Sequence, residues 1–224
     1  KYNYKAFSKT RLAWGSGLSQ SASQSFDLHN NNDNIEGIKM YIRLECPSGG
    51  CDPWDRFANI LVKNSNTNQW YEMARHITPY GVGNSQLTRG LEVDVTDFKS
   101  LLLGNVELKI YAETWVASGW VISLEFDYLA GNPDYKYYQI TPVIQFNRNS
   151  LSGVPYGGEN GNTQLDKEKF DLTKTISVGS NIKSAHFRTI ISGWGHATPA
   201  DSDGRACAEW CFRTHKIKIN NVDK

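Results

Sequence analysis

Val106-Glu107-Leu108-Lys109-Ile110-Tyr111-Ala112-Glu113-Thr114-Trp115 puts an apolar side chain at every second position from Val106 to Ala112. A strand sends alternate side chains to opposite faces. One face therefore carries Val106, Leu108, Ile110 and Ala112, and the other carries Glu107, Lys109, Tyr111, Glu113 and Trp115. An antiparallel sheet with one face on a core produces this pattern. The same period extends outward along the chain: Ile38, Met40, Ile42 and Leu44, then Leu91, Val93 and Val95, then Ile122, Leu124, Phe126 and Tyr128, and last Ile217 and Ile219. One segment departs from it, Thr96-Asp97-Phe98-Lys99-Ser100-Leu101-Leu102, which reads as a short helix. Asparagine- and glycine-rich clusters at 30–34, 64–68 and 156–162 supply turns between strands. The expectation is an all-β chain of packed sheets.

Gly131-Asn132-Pro133-Asp134 is the clearest boundary. About eight strands precede it, enough for a complete sandwich, and roughly four or five follow. Half a sandwich would leave an apolar face and an open edge in water. Residues 1–131 are thus expected to form one domain and residues 135–224 the first part of a second. The remainder of that second domain is expected on a further segment or on another chain.

The 224 residues carry a formal net charge of +1 and no basic run with interleaved aromatics, so nothing points to nucleic acid or to an anionic membrane surface. No apolar run approaches the ~18 residues of a membrane span. Lys1-Tyr2-Asn3 reads as a mature or trimmed start, without a signal peptide. The four cysteines fall into two local pairs, Cys46 with Cys51 and Cys207 with Cys211. Pro47, Gly49 and Gly50 suit a tight disulfide loop; a four-cysteine zinc site is the competing reading, though zinc loops favour tighter spacing. Disulfides imply an oxidising compartment, so a secreted or periplasmic protein. Nineteen asparagines without one Asn-x-Ser/Thr sequon fit a bacterial source.

The cysteine pairs frame the candidate chemistry. Cys51-Asp52-Pro53-Trp54-Asp55-Arg56 sets a carboxylate between an indole and a guanidinium. The indole would desolvate the acid and raise its pKa, and the arginine would lower it. Such competition poises a proton-transfer group near working pH. The bland alternative is a loop aspartate paired with Arg56 and a tryptophan in the core. Cys207-Ala208-Glu209-Trp210-Cys211 repeats the acid–indole pairing inside a three-residue loop, where Glu209 is either a site residue or a solvated loop side chain. Glu113, with Tyr111 and Trp115 on its strand face, is either a third site acid or an ordinary exposed strand glutamate. Gly193-Trp194-Gly195-His196 sets an indole and an imidazole on a turn. No nucleophile elbow, His-x-x-x-His or clustered His/Asp metal pattern, or phosphate-cradling glycine loop is present.

The chain resembles the peptide-N-glycosidase F family, bacterial enzymes that remove N-linked glycans whole. The likeness runs through Gly17-Leu18-Ser19-Gln20-Ser21-Ala22, Glu45-Cys46-Pro47, Cys51-Asp52-x-Trp54-Asp55-Arg56, Ile77-Thr78-Pro79-Tyr80, Arg89 to Leu102 and Leu108 to Trp115. It continues in Pro133 to Tyr137, Gly153-Val154-Pro155-Tyr156-Gly157, Ile191 to Ala197 and Cys207 to His215.

The resemblance implies two adjacent jelly-roll sandwiches with the site at their interface, and no metal, cofactor or covalent intermediate. It implies Asp55 as the main catalytic acid/base. Glu209 would be the second essential carboxylate, holding the inner N-acetylglucosamine through water, and Glu113 a supporting acid. Trp54, Arg56, Trp115 and Trp194 match cleft-lining residues, and His196 and Trp210, within the matched stretches, are further candidate substrate contacts. Pro53 and Gly81 depart from the family, which has an acid and a tryptophan there, and this puts glycan preference in question.

The family pattern runs on past Asn221 with further strands, another cysteine pair and an active-site arginine. The resemblance therefore implies that activity needs a complementary C-terminal segment or second chain. The expected substrate is an N-glycoprotein or glycopeptide. Paired carboxylates and tryptophans also suit an endo-acting glycosidase on the chitobiose core, or a glycan-binding protein without catalysis.

Overall fold

The computed structural model describes residues 1–135, 137–143, 173–190 and 216–224. The chain divides into two compact units, one of Lys1–Gln145 with Lys183–Ser192, the other of Phe146–Ile182 with Gly193–Lys224.

Among the described residues, the first unit is a sandwich of two antiparallel sheets built from nine strands. These are β1 (Tyr2–Lys5), β2 (Thr10–Leu12), β3 (Ser21–Asp27), β4 (Ile35–Glu45), β5 (Phe57–Asn64), β6 (Gln69–Ile77), β7 (Leu91–Asp94), β8 (Asn105–Ala112) and β9 (Trp120–Ala130). One sheet runs β1-β9-β4-β7 with β2 also on β9; the other runs β3-β8-β5-β6. The two longest strands, β4 and β9, pair in the middle of their sheet and obey the alternation. Ile38, Met40, Ile42 and Leu44 of β4 are buried, as are Trp120, Ile122, Leu124, Phe126 and Tyr128 of β9. Across from them lie Val106, Leu108, Ile110 and Ala112 of β8 with Ala58, Ile60 and Val62 of β5, in one continuous core. Each large aliphatic or aromatic side chain so buried stabilises the fold by about 1.5–3 kcal/mol. The edge strand β3, Ser21-Ala22-Ser23-Gln24-Ser25-Phe26-Asp27, is largely polar and exposed, as an unpaired edge needs to be.

The expected helix over Thr96–Leu102 is a correction. Only Thr96–Phe98 is helical, as one 3-10 turn, and Leu101 N–H then bonds back to Phe98 C=O at 2.8 Å. The segment is too short to offset the nucleation cost of an α-helix. It persists because Phe98 and Leu102 are buried and Asp94 Oδ1 accepts the Thr96 N–H at 2.9 Å.

In the second unit the described residues include a hairpin of β10 (Lys218–Ile219) and β11 (Val222–Asp223). Asn220 and Asn221 turn it with φ of 50° and 65°, the left-handed pair a two-residue hairpin turn requires. Ile217 and Ile219, expected on a half-buried strand face, are more than a third exposed at 39% and 38%. A two-residue strand has too little length to cover a core.

Candidate active site

Four loops meet at one end of the first sandwich: 13–20 between β2 and β3, 46–56 between β4 and β5, 78–90 between β6 and β7, and 113–119 between β8 and β9. The registers Glu45↔Val121, Phe57↔Ile77 and Ala58↔Ala112 bring these strand ends level. The loop 46–56 is closed at its start by the Cys46–Cys51 disulfide, with Cα atoms 4.4 Å apart. The zinc alternative therefore falls for this pair.

Asp52 holds the loops together. It is completely buried. Its N–H donates to Gly119 C=O at 3.0 Å, and its own C=O accepts the Gly81 N–H at 3.1 Å. Gly119 has φ +61, and a Cβ there would fall 2.0 Å from Leu12 O, so only glycine fits. The Asp52 carboxylate accepts Arg56 Nε at 2.7 Å and Nη2 at 3.2 Å, Thr114 Oγ1 at 2.6 Å and the Trp54 N–H at 3.0 Å. Burial pushes its pKa up, but these donors outweigh it and hold the carboxyl below the usual value.

That network corrects the expected environment of Asp55. The arginine placed next to it by the sequence pairs with Asp52, and the indole placed next to it, Trp54, is 60% exposed. Asp55 itself is half-buried, and its carboxylate has no hydrogen-bond or ion-pair partner among the described residues. Its main chain is nevertheless gripped on both sides. Trp54 N–H bonds Asp52. Arg56 N–H donates to Thr78 Oγ1 at 2.8 Å, and the Thr78 N–H returns to Arg56 C=O at 2.8 Å. The acid is thus projected from a loop that cannot readily swing, which is the requirement for a positioned proton-transfer group.

For Glu113 the structure removes the bland alternative. The strand ends at Ala112, and Glu113 is wholly buried, not an exposed strand glutamate. Its N–H donates to Phe57 C=O at 2.8 Å, which ties it to the segment that carries Asp55. Three residues beyond the strand end, Trp115 is 39% exposed and its ring meets Trp14 edge to face, with centroids 5.0 Å apart. Trp14 is 49% exposed and Tyr80 56%. The sequence drew no attention to Asp52, Thr114 or Trp14, and only Asp52's place in a cysteine loop could have signalled it. Pro53 and Gly81, the two departures from the family pattern, are neighbours: a Cβ on Gly81 would lie 3.6 Å from Pro53 Cα. Trp194, His196, Cys207, Glu209, Trp210 and Cys211 lie outside the described residues. Among the described residues no cluster of His, Cys, Asp or Glu could hold a metal ion.

The N-terminal domain pattern of peptide-N-glycosidase F matches residues 59–128. Peptide-N(4)-(N-acetyl-beta-D-glucosaminyl)asparagine amidase F of Elizabethkingia miricola is 53% identical over 221 residues, 99% of this chain and 60% of its own length. The chain therefore spans about three-fifths of that curated relative. The structure of PNGase F, a glycosylasparaginase from Flavobacterium meningosepticum, superposes with a TM-score of 0.83 at 50% identity, over 100% of this chain and 69% of the other. A crystal structure of a peptide-N(4)-(N-acetyl-beta-D-glucosaminyl)asparagine amidase superposes with a TM-score of 0.82 at 50% identity, over 100% and 69% respectively.

Proposed function

Because the chain belongs to the peptide-N-glycosidase F family, we propose that it carries the acid/base half of an amidase acting on N-glycoproteins or glycopeptides. The bond cut is the amide between the asparagine side chain and the innermost N-acetylglucosamine. The observation that carries the reading is the position of Asp55: a carboxylate without a partner among the described residues, on a loop pinned at both flanking residues. In this reading water attacks the amide carbonyl, and Asp55 passes the proton between that water and the departing glycosylamine. The products are a glycan with a 1-amino group and a peptide in which Asn has become Asp.

Unaided amide hydrolysis is so slow that the site must lower its barrier by ~15 kcal/mol or more. One proton-transfer residue accounts for about 10²–10⁴-fold, so orientation and donors aimed at the developing oxyanion must supply the rest. Glu209, Trp194, His196 and Trp210 belong to the same proposal as sugar-holding groups, with Trp54, Arg56 and Trp115 on the first unit and Glu113 as an acid that supports the site. Residues 1–131 are read as the N-terminal jelly-roll domain and 135–224 as part of a second. Because the curated relative is longer, the reading includes a complementary C-terminal segment, in the same polypeptide or as a second chain. The Cys46–Cys51 disulfide supports placing the protein in a secreted or periplasmic setting.

Hydrolysis of a glycopeptide in heavy-oxygen water tests the reaction. Label in the peptide's new aspartate supports the amidase. Label in the released sugar with none in the peptide would instead identify a glycosidase, because a 1-amino sugar also takes oxygen from water as it loses ammonia, and binding without turnover would identify a lectin. Running the chain alone and joined to the segment equivalent to the rest of the relative tests the need for that segment.

A further inference from the structure

We propose that Trp14 is a specificity-determining residue that forms, with Trp115, an aromatic corner for a neutral saccharide ring of the glycan. The proposal rests on the amidase reading of the same site. The two indoles meet at 62° with centroids 5.0 Å apart, yet each leaves a large part of its surface in water, 49% for Trp14 and 39% for Trp115. Two tryptophans packed for stability alone would bury those faces, because exposing them forfeits the burial free energy a large aromatic can contribute.

The corner is also pre-organised. Trp14 N–H donates to Val116 C=O at 3.0 Å, and Ala13 N–H to Ser19 C=O at 2.8 Å. Arg11 Nη2 donates to Ala117 C=O, and Gln20 Nε2 to Thr114 C=O. The Trp14 loop and the Trp115 loop are thus laced together along their length, so the angle between the rings is set before any ligand arrives. An L-shaped pair of indoles offers one ring face and one flanking wall. That suits a pyranose, whose C–H face is apolar and whose hydroxyl rim needs to stay at the solvent side. Thr114 also bonds Asp52, so the corner is coupled to the network that holds the Asp55 loop.

The test compares Trp14→Ala and Trp14→Phe in the protein carrying this chain. KM for a glycopeptide should rise about tenfold in Trp14→Ala, by more than any fall in kcat, and Trp14→Phe should recover most of that loss. Affinity for N,N′-diacetylchitobiose, measured by calorimetry, should fall in parallel. Unchanged KM and unchanged disaccharide affinity in Trp14→Ala would overturn the proposal. So would a loss shared equally by Trp14→Phe and accompanied by a lowered melting temperature, which would mark Trp14 as structural. The disaccharide measurement needs no turnover, so it remains decisive if the heavy-oxygen experiment rejects the amidase.

Discussion

Arg56 grips Asp52 and not its immediate neighbour Asp55: its Nε lies 2.7 Å from Asp52 Oδ2 and its Nη2 3.2 Å from Oδ1. The division of labour follows from burial. Asp52 is sealed from water and requires a counter-charge, so it takes the guanidinium and fixes the loop. Asp55, half-buried, is left without a partner for its carboxylate among the described residues.

Asp55→Asn should therefore separate chemistry from folding. The substitution breaks no ion pair, so the melting temperature should stay within about 1 °C, in the range of a neutral surface change. Glycopeptide hydrolysis should fall by ~10²-fold or more. An assay of initial rates beside a thermal melt checks both, and a rate within threefold of the parent would remove Asp55 from the chemistry.

Asp52→Ala should act in the opposite order. It leaves Arg56 without its counter-charge in a mostly buried position, at a cost of about 3–5 kcal/mol. Because the folded carboxyl titrates below its usual value, its contribution is fully present above the unfolded value of 3.8 and is lost as pH falls through the lower folded one. Urea unfolding at pH 7 and at pH 3 measures this: the gap between parent and variant should narrow at the lower pH.

His76, near the end of β6 and two residues before Thr78, has both ring nitrogens shut off from solvent and, among the described residues, without a hydrogen-bond partner. Burial pushes its pKa from 6.5 down to about 4. The unfolded chain takes up the proton first, so stability should decline as pH drops from 6.5 towards 4, by about 2 kcal/mol at pH 5. His76→Phe should flatten that decline. Parallel pH–stability curves for parent and variant between pH 7.5 and 5 would show that His76 titrates normally in the fold.

Replacing Cys46 and Cys51 together by serine should cost about 2 kcal/mol, the loop-closure entropy of so short a loop. Activity measured well below the melting temperature should nonetheless survive, because Asp52 pins the same loop independently through Gly119, Thr114 and Arg56. Loss of activity with an intact melt would instead make the disulfide part of the positioning of Asp55.

The sandwich strands were legible in the sequence because alternation is a local property: Ile38 to Leu44, Val106 to Ala112 and Ile122 to Tyr128 each display one apolar face within a few residues. The Cys46–Cys51 closure was legible for the same reason, since five positions of separation keep the partners within reach. The short segment Thr96–Leu102 was misread as a longer helix because composition carries no record of how little chain the neighbouring strands leave. Family membership, too, could be read from the motifs alone.

Only the tertiary structure decided which acid takes the arginine, that Glu113 is buried beyond the end of β8, and that Trp14 meets Trp115. Each depends on loops that are distant in sequence, as in the Thr114–Asp52 bond across 62 positions. Side-chain period reports which face of a strand is buried. It does not report which loop lies across that strand's end, and that neighbour sets the partner, solvent exposure and charge balance of every residue in the site.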